Sequence, residues 1–370
     1  MKNITVVSAA RLLSFWSLCA ITLALVSALQ GSPSQKSGFA VEKAGTRLAY
    51  ITHNGKPLLA FGCHLEHMFF EDYDNIYYDI CHEPFIHAMK PEAQQDLREF
   101  LSETTRRFIE KYKKLRPDKT PILGLDTDFT PPGDTRDWIY NHDRFHIMIQ
   151  GKNHDPFYIT APEAVQLIKK FKKPFCPQKS LDLPSIIHIP DVKHKNSLTY
   201  FEPRSRDYLR KYVWRWIMAK SQLFDIYQKG LSKKVSERER YEPHGHNDFE
   251  KDALIIRDFW NQLIDYPNLD FQGIVSKGPG ELHMVLSSQK EVVVYFSSKP
   301  GVEGKHFATQ EAKLENLVLK DGVYKVEIWN LSAPGGIIKN DSCKTVNGKV
   351  TIELPDFVDD LVVYILNQGK

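Results

Sequence analysis

The segment Pro121-Ile-Leu-Gly-Leu-Asp126 indicates the fold class, because it places a short apolar strand directly after a long amphipathic segment. That preceding segment, residues 91–115, begins with proline and glutamate and ends with basic residues, as helices do. Its apolar residues recur at helical spacing, and one face is expected to carry Ala93, Leu97, Phe100, Leu101, Phe108, Ile109 and Tyr112. A helix followed by a buried strand is the repeating unit of parallel α/β proteins.

The same alternation extends in both directions from this segment. Downstream, strands are predicted at 145–150 and 185–189, and helices at 162–171, 206–230 and 248–264. Upstream, an Asn-Gly pair at 54–55 separates two apolar stretches, 47–53 and 58–61, which predicts a β-hairpin.

From about residue 268 the pattern changes to strands without helices. Gly, Pro and Asn-Gly separate the strands, and this spacing predicts a small antiparallel β-sandwich. The predicted strands are 281–286, 291–296, 322–329, 349–354 and 361–366.

The composition is that of a globular protein. The chain has 370 residues, 42% hydrophobic and 26% charged, which excludes fibrous and wholly disordered proteins. At about 100–200 residues per domain, this length predicts two domains. The net charge is +3 with the two signs mixed, so a nucleic-acid-binding protein is not expected.

The first 31 residues are typical of a secretory signal peptide. Lys2 and Arg11 flank an apolar run at 12–26, and small residues follow at 27–32. Cleavage near residues 28–31 predicts a secreted, extracellular or periplasmic protein without membrane contact, with an uncleaved anchor as the alternative. A polar linker at 32–37 follows.

Four cysteines remain after such cleavage, and they allow three disulfide pairings: Cys63, Cys81, Cys176 and Cys343. No two have CxxC spacing, so no thiolate zinc site is expected. Asn330-Leu-Ser and Asn340-Asp-Ser are N-glycosylation sequons, usable where the host glycosylates secreted proteins.

The candidate chemistry lies in Asp74-Asn-Ile-Tyr-Tyr-Asp-Ile-Cys-His-Glu83-Pro84, an apolar strand that ends in a carboxylate. In βα barrels the catalytic groups come from the carboxyl ends of strands. Apolar surroundings would raise the pKa of Glu83 and let it protonate a glycosidic oxygen. The alternative is a strand-end glutamate that caps the next segment.

This segment resembles strand four of cellulase-like (clan A) glycoside hydrolases, in which the glutamate is the acid/base. Residues 52–62 are similar to their first strand, and 210–219, 224–227 and 256–260 resemble their last barrel helices. The tail at 292–357 looks like their C-terminal sandwich, sometimes labelled a collagen-binding domain. The resemblance implies an α/β fold with a (β/α)₈ TIM-barrel-like domain over residues 38–275 and an antiparallel β-sandwich over residues 276–370.

The chain departs from that family in two ways. His82 stands where the family has an asparagine that contacts the sugar, although histidine can also donate a hydrogen bond. Only residues 63–74 separate the first strand from the strand before Glu83, whereas a barrel needs on the order of 100 residues there. We therefore expect an incomplete barrel.

A glycosidase needs a second carboxylate, about 5–5.5 Å away for retention or about 6.5–9.5 Å for inversion. Asp191 is the best-placed candidate, and Glu202 and Asp126 follow. Loop capping by Asp191 and a surface ion pair for Glu202 are the alternatives.

Three further residues are expected to orient the sugar: His64 after the first strand, His82 and Trp138. Trp138 could form a stacking platform with Tyr140 and His142, with core packing as the alternative. The sequence thus predicts a secreted glycoside hydrolase-like protein that cleaves O-glycosidic bonds of a polysaccharide or glycan without a metal or other cofactor. The alternatives are an inactive carbohydrate- or matrix-binding protein and a purely structural surface protein.

Overall fold

A computed structural model describes twelve stretches of the chain: residues 39–43, 48–62, 78–79, 91–117, 121–127, 133–150, 159–177, 206–225, 246–276, 281–298, 304–332 and 334–367. The predicted signal peptide and the predicted strand at 185–189 lie outside them.

A small antiparallel sheet comes first, with the order β1-β2-β3. Its strands are β1 (Phe39–Lys43), β2 (Ala49–His53) and β3 (Lys56–Pro57). Asn54 and Gly55 both have positive φ, 51° and 77°, as the tight hairpin turn between β2 and β3 requires. The hairpin prediction is confirmed, but β1 was not predicted, and the apolar residues after Pro57 leave the hairpin to enter a different sheet.

Strands and helices then alternate along the chain. They are β4 (Ala60–Gly62), β5 (Tyr78–Asp79), α1 (Pro91–Leu115), β6 (Leu123–Asp126), α2 (Asp134–Asn141), β7 (Ile147–Gln150), α3 (Ala161–Phe171), β8 (Phe175–Pro177), α4 (Arg206–Met218) and β9 (Leu223–Asp225). β5, β6, β7 and β8 form a parallel sheet in that order, and β4 pairs in parallel with β9. The predicted parallel βα units are therefore confirmed in this region.

The described residues hold six parallel strands in two sheets, and a closed eight-stranded barrel is not present among them. The shortfall agrees with the short distance along the chain between β4 and β5. The (β/α)₈ barrel itself thus remains a proposal.

Three helix predictions need correction. The helix predicted at 248–264 spans His246–Trp260. α1 has the predicted bounds, but Ala93 and Phe100 are exposed, and Thr105 joins Leu101 on the buried face. The helix predicted at 206–230 ends at Met218, because Lys220 takes a left-handed backbone with φ 69° and the chain then enters β9.

The rest of the described chain consists of one helix, a 3-10 turn and ten strands. These are α5 (His246–Trp260), the turn Tyr266–Asn268, β10 (Asp270–Ser276), β11 (Glu281–Ser287), β12 (Glu291–Ser298), β13 (His306–Phe307), β14 (Gln310–Leu314), β15 (Gly322–Asn330), β16 (Gly336–Thr345), β17 (Val350–Leu354), β18 (Phe357–Val358) and β19 (Asp360–Asn367). The five predicted tail strands are confirmed as β11, β12, β15, β17 and β19.

A six-stranded antiparallel sheet dominates this region, in the order β10-β11-β12-β19-β15-β16. β14 pairs with β17, and β13 pairs with β18. β10 was not predicted; it precedes the boundary expected at residue 276 and pairs with β11.

The six-stranded sheet is buried on both faces at its centre. Every residue of β12 is buried, which explains its unbroken apolar run, since a strand covered on two sides needs no polar alternation. One face packs on α4 and α5, where Trp214 stacks on Tyr295 and Phe259 meets Tyr364 edge to face. The other face packs against β14 and β17.

Cys176 and Cys343 lie in two different apolar clusters, which excludes the pairing of these two with each other. The Sγ of Cys176 donates to the carbonyl oxygen of Leu223 over 3.7 Å. Burial raises the pKa of the Cys343 thiol to about 11. Cys63 and Cys81 lie outside the described residues.

Of the helices that the structure describes, none has the length and apolar character needed to cross a membrane.

Candidate functional site

The parallel sheet brings the carboxyl ends of four strands to one edge. We call the last residues of these strands, Asp79, Asp126, Gln150 and Pro177, the carboxyl edge. The parallel pairing brings these strand ends to the same edge, with Asp79 opposite Gly124, two residues before Asp126, and Asp126 opposite Ile149. β4 and β9 end side by side at Gly62 and Asp225 in the second parallel sheet. Catalytic groups of α/β proteins are commonly found at such strand ends.

Gly124 allows β6 and β7 to pack closely just before the edge. A Cβ atom at this position would lie 2.2 Å from Cδ1 of Ile149, which is closer than any van der Waals contact. Ile149 belongs to a small apolar cluster with Ile51, Ile147 and Leu223, which joins the first hairpin, β7 and β9. A packed apolar cluster therefore holds the strands in place just before their carboxyl ends.

A buried hydroxyl pair fixes the chain directly after Asp126. The backbone N–H of Thr127 donates to the carbonyl oxygen of Ile149 over 3.0 Å, and its hydroxyl donates to the same oxygen over 2.8 Å. Because that hydroxyl has a single proton, it accepts from the hydroxyl of Tyr140, 2.7 Å away. Thr127 was not singled out from the sequence; the only signal was a polar residue following an apolar strand.

Most predicted site residues lie outside the described residues: Glu83, His82, His64, Asp191 and Glu202. For two of them, the position along the chain shows which described strand they follow. Glu83 follows the last residue of β5 by four residues, and His64 follows the last residue of β4 by two. Asp126 is the last residue of β6, the neighbour of β5 in the sheet.

The structure places Trp138 in the helix layer. Its ring lies on α2, half-buried, with the guanidinium carbon of Arg98 on α1 5.7 Å from the ring centroid. The ring of His142 meets it edge-on at 5.0 Å. Tyr140, the third member of the expected stacking platform, is buried in the main apolar cluster. Tyr140 therefore packs in the core, and the rings of Trp138 and His142 contact each other.

Two histidines near the sheet have lowered pKa values. Burial lowers the pKa of His142, assisted by Arg144 and Lys173, and burial with Lys173 lowers that of His146. The Nδ1 atom of His146 accepts a hydrogen bond from the backbone N–H of Leu123 over 3.0 Å, which requires the neutral ring. Leu123 begins β6, so His146 binds at the end of the strand opposite to Asp126.

No metal centre is visible in the part of the chain that the structure describes. Nowhere in these stretches do three His, Cys, Asp or Glu side chains come together in a group that could hold an ion.

Comparison with known proteins gave matches among solved structures alone. No protein-family model matches the chain, and no curated protein matches its sequence. The chain is similar to a glucosidase from Croceicoccus marinus, with 9% identity over 73% of this chain and 65% of that chain and a TM-score of 0.39. It is similar to a cycloisomaltooligosaccharide glucanotransferase from Paenibacillus sp., with 8% identity over 71% of this chain and 58% of that chain and a TM-score of 0.46.

A third similar structure is a β-porphyranase of glycoside hydrolase family 86 from Bacteroides plebeius. The identity is 12% over 78% of this chain and 55% of that chain, and the TM-score is 0.35. All three proteins act on carbohydrates by name, and this chain spans less than two thirds of each of them.

Proposed function

We propose that the protein is a secreted glycoside hydrolase that cleaves O-glycosidic bonds of a polysaccharide or glycan by carboxylate acid/base catalysis. Glu83 is the general acid, and Asp126 or Asp191 is the second carboxylate. The observation that carries the proposal is the side-by-side pairing of β5 and β6, because Glu83 follows the first strand and Asp126 ends the second.

The strand pairing also supports a barrel-derived domain. Among the described parallel strands, β4 comes first in the chain and β9 comes last, and these two pair with each other. Pairing of the first strand with the last is what closes a βα barrel. The short connection between β4 and β5 is where the proposed barrel is shortened relative to a full one.

In the proposed reaction, Glu83 protonates the oxygen of the leaving sugar. If the second carboxylate lies about 5–5.5 Å from Glu83, it attacks the anomeric carbon as the glycosidic bond breaks, and a water molecule that loses its proton to Glu83 then hydrolyses the glycosyl-enzyme. If it lies about 6.5–9.5 Å away, it takes a proton from a water molecule that attacks the anomeric carbon as the glycosidic bond breaks. His64 and His82, which follow β4 and β5 along the chain, donate hydrogen bonds to sugar hydroxyls. This chemistry requires no cofactor.

The test is hydrolysis of a panel of aryl-glycosides and polysaccharides by the secreted protein and its Glu83→Gln variant. Loss of a general acid should lower kcat/KM by about 10²- to 10⁴-fold. Glu99→Gln is the control, because Glu99 is exposed on α1, far along the chain from any strand end. Equal activity of Glu83→Gln and wild type would refute the assignment. Sugar binding without turnover by the wild type would identify the alternative, a carbohydrate- or matrix-binding protein.

The second carboxylate is identified by comparing Asp126→Asn with Asp191→Asn. The variant that removes the nucleophile or base should lose turnover and recover part of it when azide supplies a small anion. If both variants keep wild-type turnover, neither residue is the second carboxylate.

A further inference from the structure

β16 forms an outer edge of the six-stranded sheet. Among the described strands it pairs only with β15, and most of its ten residues are exposed. Two of the exposed residues are apolar, Ile337 at 41% and Ile338 at 49%. A long exposed edge of this kind can pair with another chain, and secreted proteins need a device that prevents it.

The sequon Asn340-Asp341-Ser342 lies in the middle of this edge strand. All three residues are exposed, and Asn340 is paired in register with Glu327 of β15. Asn340 is therefore accessible to solvent on the edge strand.

The second sequon, Asn330-Leu331-Ser332, lies in a crowded environment. Asn330 ends β15 between two partners, pairing with Gly336 on one side and Leu361 on the other. Its Oδ1 atom accepts a hydrogen bond from the N–H of Ser332 over 3.0 Å, and Leu331 is fully buried. Asn330 and Ser332 are themselves only half-exposed.

We infer that Asn340 is an N-glycosylation site and that Asn330 is not. The inference rests on the secretory route of the proposed function, because acceptor asparagines are modified on that route. The co-reactant is an oligosaccharide linked to a lipid diphosphate. The amide nitrogen of Asn340 forms a bond to C1 of the sugar, the bond from C1 to the diphosphate oxygen breaks, the amide loses one proton to solvent, and the lipid diphosphate leaves.

The glycan covers the edge that β16 exposes. It is bulky and hydrophilic, so it shields Ile337 and Ile338 and prevents a second strand from pairing with β16. Lys339 contributes a second barrier, since its ammonium group lies 3.2 Å from the carboxylate of Glu353 and 3.5 Å from that of Asp341. A charged lysine on an edge strand disfavours pairing.

The experiment expresses the full chain in a eukaryotic cell line in two forms. One form keeps residues 1–31, and the other carries a heterologous signal peptide in their place. Intact mass before and after removal of N-glycans is measured on both medium and lysate, so that retained protein is also measured. We expect one glycan, lost in Asn340→Gln and Ser342→Ala and kept in Asn330→Gln and Ser332→Ala.

Three other outcomes have distinct meanings. A chain without glycan behind the heterologous signal peptide overturns the inference, as does a glycan on Asn330. A glycan present only behind the heterologous signal peptide contradicts the proposed secretory route and leaves Asn340 as an acceptor. Light scattering then tests the role of the glycan: Asn340→Gln should self-associate more than Asn330→Gln, and equal association would overturn the shielding of the edge.

Discussion

A single glycine controls how closely the two strands before the carboxyl edge pack. In Gly124→Ala, the new methyl group would lie 2.2 Å from Cδ1 of Ile149, so β6 or Ile149 must shift. Overpacking of this kind costs about 1–3 kcal/mol of the free energy of unfolding. Denaturant unfolding measures the loss.

Gly322→Ala is the matched control for Gly124→Ala. Gly322 also lies in a strand, but a Cβ atom there would meet only Cε2 of Tyr324 at an ordinary 3.5 Å. A loss of stability at Gly322 as large as at Gly124 would show that the contact with Ile149 is not the cause.

Two histidines make stability depend on pH. His142 and His146 have lowered pKa values in the folded protein, mainly through burial, whereas an unfolded histidine titrates near pH 6.5. Below about pH 6.5 the unfolded chain therefore binds more protons than the folded one. We expect the free energy of unfolding to be highest above that pH and to fall as the pH is lowered toward 5.

The variant His146→Asn tests this linkage, because the asparagine oxygen can accept the bond from the N–H of Leu123 without titrating. The fall in stability between pH 7 and pH 5 should be smaller in this variant than in the wild type. His53→Asn, at the exposed end of β2, should keep the wild-type fall. Identical pH dependence in all three proteins would contradict a contribution of His146 to the fall in stability.

At the scale of elements, buried ion pairs tie α4 to the six-stranded sheet. Nη2 of Arg210 lies 2.7 Å from Oδ1 of Asp360, and Nε of Arg210 bonds both oxygens of that carboxylate. Tyr295 donates a fourth bond to Asp360 over 3.0 Å. The next residue along, Lys211, pairs with Asp359 over 2.8 Å. Two consecutive basic residues of one helix thus meet two consecutive carboxylates at the start of β19.

Arg210→Met should be strongly destabilising, because it leaves the carboxylate of Asp360 buried without its main partner. Removal of one member of a buried pair typically costs about 3–5 kcal/mol. Thermal or denaturant unfolding measures the effect. The control is Lys349→Met, which breaks an exposed pair with Glu315 and should change stability by about 1 kcal/mol or less. Similar losses in the two variants would contradict the role of the Arg210 pair.

Elements with a strong local pattern were predictable from the sequence, and those set by tertiary contacts were not. α1 begins at a proline and ends after basic residues, so its bounds follow from local chemistry. The end of α4 depends on the left-handed backbone of Lys220, a conformation that lysine rarely takes and that no Gly or Pro marks. β16 carries mostly polar residues because it is an edge, so it lacked the apolar run that identified β12 and β19.

At the scale of the molecule, the six-stranded sheet packs against a different layer on each face. Its two faces are covered by different layers: α4 and α5 on one side and β14 with β17 on the other. The antiparallel tail followed from the sequence, but its docking on the helices did not, because alternation within a strand does not show which element covers each face.

This arrangement predicts that residues 270–370 do not form a compact domain when expressed alone. Removal of α4 and α5 would expose Tyr295, Tyr364 and Trp329, which now pack on helix residues such as Trp214 and Phe259. The fragment should bind a hydrophobic dye and elute as aggregates in size-exclusion chromatography with light scattering. A monomeric fragment with a cooperative unfolding transition would contradict the claim that the sheet needs α4 and α5 to cover one of its faces.

The candidate site was predictable only in part. The apolar residues before Asp126 marked a strand end, and the structure pairs that strand with β5. The support from Thr127 and Tyr140 depends on residues thirteen positions apart that only the fold brings together. The role proposed for Glu83 comes from its position after β5 and from the resemblance of residues 74–84 to a glycosidase strand.

The most direct test of that role compares leaving groups. A general acid matters most when the departing alcohol is a poor leaving group and least when it departs without a proton. The measurement is kcat/KM of the wild type and Glu83→Gln on aryl-glycosides of one sugar, from dinitrophenyl to alkyl leaving groups. We predict a small loss for dinitrophenyl and a loss of about 10²-fold or more for alkyl leaving groups. A loss that is the same for every leaving group, or no loss at all, would contradict Glu83 as the acid.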